Sequence, residues 1–253
     1  MKIDLTDRRV LVTGASRGIG AALAKALAGA GARVGIHYNR RRDEAEALAA
    51  SLGAEHPLLQ ADLADPHACA RLWDEAAAAL GGVDVLVNNA GVSPHMALDA
   101  DLDAWLRDWE LTMGVNLRAA EILSRSAVAH FRQQPAGGRI IHIASRAAFR
   151  GDQPEYITYA ASKAGMVALS RSIARAFGKE GVRSFVVAPG FTRTEMAQEF
   201  IDAFGEHHVI KDLALERLTE PEDIAPLVVL LASGMADHAT GTSIDVNAGS
   251  YVR

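Results

Sequence analysis

The stretch Arg9-Val10-Leu11-Val12-Thr13-Gly14-Ala15-Ser16-Arg17-Gly18-Ile19-Gly20 decides the fold. Its aliphatic start reads as a short buried strand, and an Ala/Leu-rich helix follows from about Gly18 to Gly29. Strand, glycine turn and helix in immediate succession form the context in which such glycines mark a dinucleotide-binding turn. Gly14 allows the tight turn, Gly18 lets the backbone approach a phosphate, and Gly20 permits close helix–strand packing. The amides at the helix start would then hold a pyrophosphate.

A second strand, Ala32 to Tyr38, runs into Asn39-Arg40-Arg41-Arg42 ahead of a helix over 43–51. An acidic residue at such a strand end would accept hydrogen bonds from the adenosine ribose and repel a 2′-phosphate. Tyr38 and Asn39 stand there instead. Cations crowded at a helix N-terminus oppose its dipole and call for an anion. With Arg17 reaching from the first turn, a 2′-phosphate is the natural candidate, which favours NADP(H) over NAD(H). The competing reading is a solvated basic turn balanced by Asp43 and Glu44.

Strands are expected at 58–63, 83–87, 139–144, 183–188 and 242–246, and helices at 66–80, 102–131, 159–176 and 221–232. Asp62 lies at the end of the third strand, Asn88-Asn89-Ala90-Gly91 closes the fourth and Ser145 follows the fifth. This alternation, without linker or repeat, predicts an α/β fold: one doubly wound domain over residues 1–253, with a mostly parallel seven-stranded sheet flanked by helices. Polar residues gathered at strand ends mark where ligands bind in such sheets.

Tyr159 and Lys163 are four apart on one helix face, so the ammonium can sit beneath the hydroxyl. A nearby cation favours phenolate and would lower the tyrosine pKa, making Tyr159 a usable acid or base. Asn116, in mid-helix, is a poor helix residue whose side chain competes for backbone bonds.

The formal net charge of -5 gives no electrostatic reason to expect nucleic-acid binding. Cys69 is the only cysteine, so no intrachain disulfide can form. The first residues lack an apolar leader and no long uncharged apolar run exists, so a cytoplasmic location without membrane association is expected.

Taken together, Thr13 to Gly20, Asp62, Asn88 to Gly91, Asn116, Ser145, Tyr159 with Lys163, and Pro189-Gly190 with Thr194 resemble the short-chain dehydrogenase/reductase family over essentially the whole chain. The likeness is strongest to 3-oxoacyl-carrier-protein reductases. The resemblance implies a Rossmann fold and a ketone–alcohol oxidoreductase in which Tyr159 exchanges the proton and Ser145 orients the carbonyl. Lys163 would tune Tyr159 and bind the nicotinamide ribose, while Asn116 would hold a water leading to solvent. It also implies cofactor contacts. Gly14, Ser16, Arg17, Gly18, Ile19 and Gly20 would lie at the phosphates, Asn39 and Arg40 at the adenosine end, and Asp62 and Leu63 at the adenine. Asn89, Ala90 and Gly91 would pass the riboses. Pro189, Gly190, Thr192 and Thr194 would lie at the nicotinamide end. A homotetramer is implied, with the helices at 102–131 and 159–177 forming one interface.

Some positions depart from the family pattern. Ser145 and Tyr159 are fourteen apart, about one more than usual. Phe185 replaces a frequent Asn. Glu180 and Gly137-Gly138 stand where carrier-protein reductases tend to be basic, which favours a free small carbonyl or alcohol substrate. An NAD-linked alcohol dehydrogenase and a non-catalytic dinucleotide-binding regulator are the alternatives. Arg146, Arg150 and His95 could border the substrate, with a structural salt bridge the plainer role for the arginines. His142 reads as a core histidine, Trp105 with Trp109 as packing, and His207-His208 with Glu206 as lacking a third metal ligand. Residues 191–218 read as an irregular substrate lid.

Overall fold

A computed structural model describes residues 3–53 and 56–252; Met1, Lys2 and Arg253 lie outside the described residues. Seven strands form one sheet: β1 Arg9–Val12, β2 Arg33–Tyr38, β3 Leu58–Gln60, β4 Val85–Asn88, β5 Gly138–Ile143, β6 Val182–Pro189 and β7 Ser243–Val246. Their order is 3-2-1-4-5-6-7, and every pairing is parallel. The central strands β1 and β4 are nearly continuous hydrophobic runs because both sheet faces are covered there. Val10, Val12, Val85 and Val87 face the helix pair α1 Gly18–Gly29 and α10 Pro221–Ser233. Leu11, Leu86 and Ile140 face the opposite layer, which includes α3 Pro66–Leu80 and α5 Ala119–Phe131. Between them in sequence come α2 Arg42–Leu52 and α4 Leu102–Met113.

The strand order reverses between β1 and β4, so their carboxyl ends splay apart and open a cleft. The β1–α1 turn and the residues after β4 line it from two sides.

Three expectations need correction. The third strand ends at Gln60, because Asp62 turns back to accept the Ala64 amide at 3.0 Å. The helix over 102–131 is interrupted by a π-helical turn, Gly114–Arg118, which carries Asn116. The segment expected to form an irregular lid is largely helical, with α8 Glu195–Phe204 and α9 Glu206–Ile210 meeting at Gly205, whose φ is 79°. Between β5 and α7 Ile157–Phe177, the chain makes a short helix, α6 Ala147–Arg150, and a 3-10 turn. These accommodate the longer Ser145–Tyr159 interval.

Candidate active site

The glycine turn is fastened from below. Thr13 Oγ1 accepts the amides of Asn89 at 2.9 Å and Ala90 at 3.0 Å, joining the ends of β1 and β4. Asn89 Nδ2 donates to the carbonyls of Thr13 and Gly14 at 2.9 and 3.1 Å. The Gly14 amide donates to His37 Nδ1 at 2.9 Å, and His37 Nε2 pairs with the Ala61 carbonyl at 3.1 Å. That arrangement needs a neutral imidazole with its hydrogen on Nε2. Burial enforces it, lowering the His37 pKa to about 4. Sequence reasoning missed His37; its only signal was an inward position near the end of β2.

The turn fits the pyrophosphate of a nicotinamide dinucleotide. No side chain caps α1 and its first turn holds no acidic residue, so its leading amides are left for an anion. A Cβ on Gly20 would stand 2.1 Å from the Gly14 carbonyl oxygen, so the turn is as tight as its residues allow. A stand-in anion is also present at the adenosine side, where the Glu195 carboxylate lies against Arg17 and Arg41.

Ser145 follows β5 and Tyr159 lies early in α7. The two side chains line the same cavity, and the Ser145 hydroxyl accepts the Ala147 amide at 3.1 Å. Lys163, four residues along, is buried with its ammonium 5.7 Å from the Tyr159 ring centroid. It donates to the Ile143 carbonyl at 2.9 Å and contacts Met166 Sδ at 3.8 Å. The expected fall in the Tyr159 pKa is corrected here: burial pushes the phenol up to about 12, with Ser145 opposing, while burial lowers Lys163 to about 8.

Asn116 lies beside Lys163: a Cβ on Gly91 would come within 3.2 Å of Lys163 Nζ and 3.4 Å of Asn116 Oδ1. Both Asn116 amide hydrogens are committed, to the Val92 carbonyl at 2.9 Å and to Ser162 Oγ at 3.0 Å. Its oxygen accepts the Val92 amide at 2.8 Å.

A cavity of about 520 Å³ brings together Ser145, Tyr159, Ile19, Pro189, Gly190, Thr192 and Thr194. His95, Arg146, Asp152 and Gln153 line its outer part. Arg146 reaches Asp212 beyond the lid helices at 3.4 Å. The structural salt bridge is thus observed, with a partner the sequence did not suggest. Leu63 is buried in the core, leaving only its backbone toward a ligand. Asn39, Arg40 and Asp62 are exposed around the far end of the cleft.

His142 and the Trp105–Trp109 pair pack as expected. Burial holds His142 neutral, at about 3. Trp105 and Trp109 stack with ring centroids 5.2 Å apart. No metal-ligating cluster exists among the described residues. No described helix is long and apolar enough to cross a membrane.

The family model described as enoyl-(acyl carrier protein) reductase matches residues 14–251. An L-rhamnose 1-dehydrogenase (NAD(P)(+)) of Azotobacter vinelandii is 38% identical over 257 residues, covering 98% of both chains. A 3-oxoacyl-[acyl-carrier-protein] reductase of Staphylococcus epidermidis is 32% identical, covering 97% of this chain and all of that one (100%). A Burkholderia cenocepacia short-chain dehydrogenase solved in complex with NADP superimposes with a TM-score of 0.88 at 36% identity, covering 97% and 98% of the two chains. With the glycine turn, the buried lysine and the serine–tyrosine pair in one cleft, the chain belongs to the short-chain dehydrogenase/reductase family of oxidoreductases.

Proposed function

We propose that this chain is an NADP(H)-dependent oxidoreductase interconverting a ketone and a secondary alcohol, with Tyr159 as acid and base, on a free small-molecule substrate. The observation that carries this reading is that Ser145 and Tyr159 line one cavity together with Ile19 of the glycine turn and with Thr192 and Thr194.

The bound dinucleotide supplies or accepts the hydride. The chain's own residues handle the proton and the geometry. A phenol raised to about 12 is protonated at neutral pH and can donate to a carbonyl oxygen as negative charge develops there. Ser145 donates to the same oxygen and fixes its position. Lys163 lends positive charge beneath the ring, and Asn116 braces the loop above it. In this reading Ser16, Gly18 and Ile19 line the phosphates, Asn39 and Arg40 the adenosine end, and Asp62 and the Leu63 backbone the adenine. Asn89 to Gly91 follow the riboses, and Pro189 to Thr194 the nicotinamide.

NADP(H) is favoured by the arginines around the end of β2 and by the NADP-bound Burkholderia relative. A carrier-protein substrate is disfavoured because Glu180 pairs with Arg132, cancelling the charge such a carrier would meet. Exposed Leu102, Leu106 and Leu111 on α4 support burial against another copy, as in a homotetramer.

The test is a screen of ketones with NADPH and of alcohols with NADP, followed by reduced-nicotinamide absorbance. Turnover abolished in Tyr159→Phe, with cofactor binding retained, supports the reading. Undiminished turnover in Tyr159→Phe defeats it.

A further inference from the structure

Arg17 stands at the N-cap of α1 and Arg41 at the N-cap of α2. Their guanidiniums converge on one oxygen of Glu195, the first residue of α8, with Arg41 Nη2 at 3.1 Å and Arg17 Nη1 in direct contact. Glu195 is 178 residues from Arg17 and 154 from Arg41, so this is a tertiary contact built by the fold. Arg41 also holds Glu44 at 2.9 Å. Arg40, between β2 and α2, is exposed and has no ion pair among the described residues.

Two guanidiniums on one oxygen is the geometry that would hold a phosphate oxygen, filled here from within the chain. All three side chains are about half exposed, so each pair alone contributes little to stability. Its consequence lies in competition. A second anion arriving at the same guanidiniums must either displace the carboxylate or sit beside it, and both are unfavourable. A ribose with a free 2′-hydroxyl carries no such anion and meets no such cost.

We propose that Glu195 is an internal occupant of the 2′-phosphate site and sets the selectivity between phosphorylated and unphosphorylated adenosine riboses. The inference rests on the reading of this cleft as a dinucleotide site. Glu195 weakens NADP(H) binding and leaves NAD(H) binding untouched, narrowing a preference that Arg17, Arg40 and Arg41 would otherwise make steep.

The test uses equilibrium binding, with no turnover involved. Dissociation constants for adenosine 2′,5′-bisphosphate and for AMP are measured by calorimetry on the full chain and on Glu195→Gln, whose fold is checked by circular dichroism. The ratio of the AMP constant to the bisphosphate constant is expected to rise about three- to tenfold in Glu195→Gln. In an Arg41→Gln background the same substitution should give a smaller rise. An unchanged or reduced ratio in Glu195→Gln overturns the proposal, as does an undiminished gain in the Arg41→Gln background. A wild-type ratio above one that Glu195→Gln leaves unchanged sinks this inference while NADP preference stands. A wild-type ratio below one that rises in the variant does the reverse.

Discussion

Asn116 grips Val92 by both of its backbone polar groups, accepting the amide at 2.8 Å and donating to the carbonyl at 2.9 Å. The π-helical turn makes this possible, since it aims a fully buried amide out of the helix at the segment leaving β4. Asn116→Ala would leave two backbone groups and Ser162 Oγ without their partner, at about 1–3 kcal/mol for each group left unmet. We expect a loss of roughly 3 kcal/mol in urea unfolding. A fall in kcat larger than any rise in KM should accompany it, since the disturbed segment borders Lys163.

Gly20 gives a sharper steric case. A methyl there would sit 2.1 Å from the Gly14 oxygen and 2.6 Å from Asn89 Nδ2, so the turn that should hold the pyrophosphate must move. Gly20→Ala is expected to weaken cofactor binding by about tenfold or more, close to 1.4 kcal/mol, as measured by fluorescence titration. Gly29→Ala, where nothing lies within 4 Å, serves as the control. It should bind normally and gain a few tenths of a kcal/mol in stability or more.

With Tyr159 as the proposed acid and base, its burial gives the two reaction directions different pH dependences. With the phenol pushed up to about 12, reduction finds its proton donor loaded across the neutral range and should be nearly flat with pH. Oxidation needs the phenolate and should climb with pH, by up to about tenfold per unit. Profiles of kcat in both directions would show this. A reduction rate already falling between mildly acid and neutral pH would mean that the donor is much more acidic than the structure indicates.

Two buried histidines make the fold acid-sensitive. His37 and His142 have pKa values lowered from 6.5 to about 4 and about 3, both by burial. Between 6.5 and those values the unfolded chain binds more protons than the folded one, so stability falls as the pH falls through that window. The slope is at most about 1.4 kcal/mol per pH unit for each histidine. Thermal melts from neutral pH down to about 4 should show a steady decline, and His37→Gln should flatten part of it. A melting temperature independent of pH across the window would contradict the neutral imidazole bracing the glycine turn.

The sequence made local features legible and distant ones opaque. Helix α3 runs Pro66–Leu80 as read, because Asp65 caps its start through the His67 amide and Gly81 ends it in a left-handed conformation. The glycine turn and the Tyr159–Lys163 face followed from spacing alone. The end of the third strand is the local exception: Asp62 accepts the Ala64 amide two residues on and turns the chain after Gln60. Residues 191–218 carry no long periodic run, because Gly205 divides the helical part into the ten-residue α8 and the five-residue α9. The Lys163 contact with Ile143, the His37 brace and the Arg17–Glu195 pair all depend on strand order, which a spacing rule does not contain.

Arg146 follows Ser145 directly, donates its amide to the Pro189 carbonyl at 2.8 Å, and leans its guanidinium on Asp212. Ser145, proposed to orient the carbonyl, is thereby linked through its neighbour to Asp212, just past α9. A chimera importing another protein's lid without an acid opposite Arg146 would strand a guanidinium whose side chain is only 11% exposed, next to its like-charged neighbour Arg150. In the proposed reading, a change at Asp212 would be felt at Ser145 through Arg146, so the two positions would have to be engineered together.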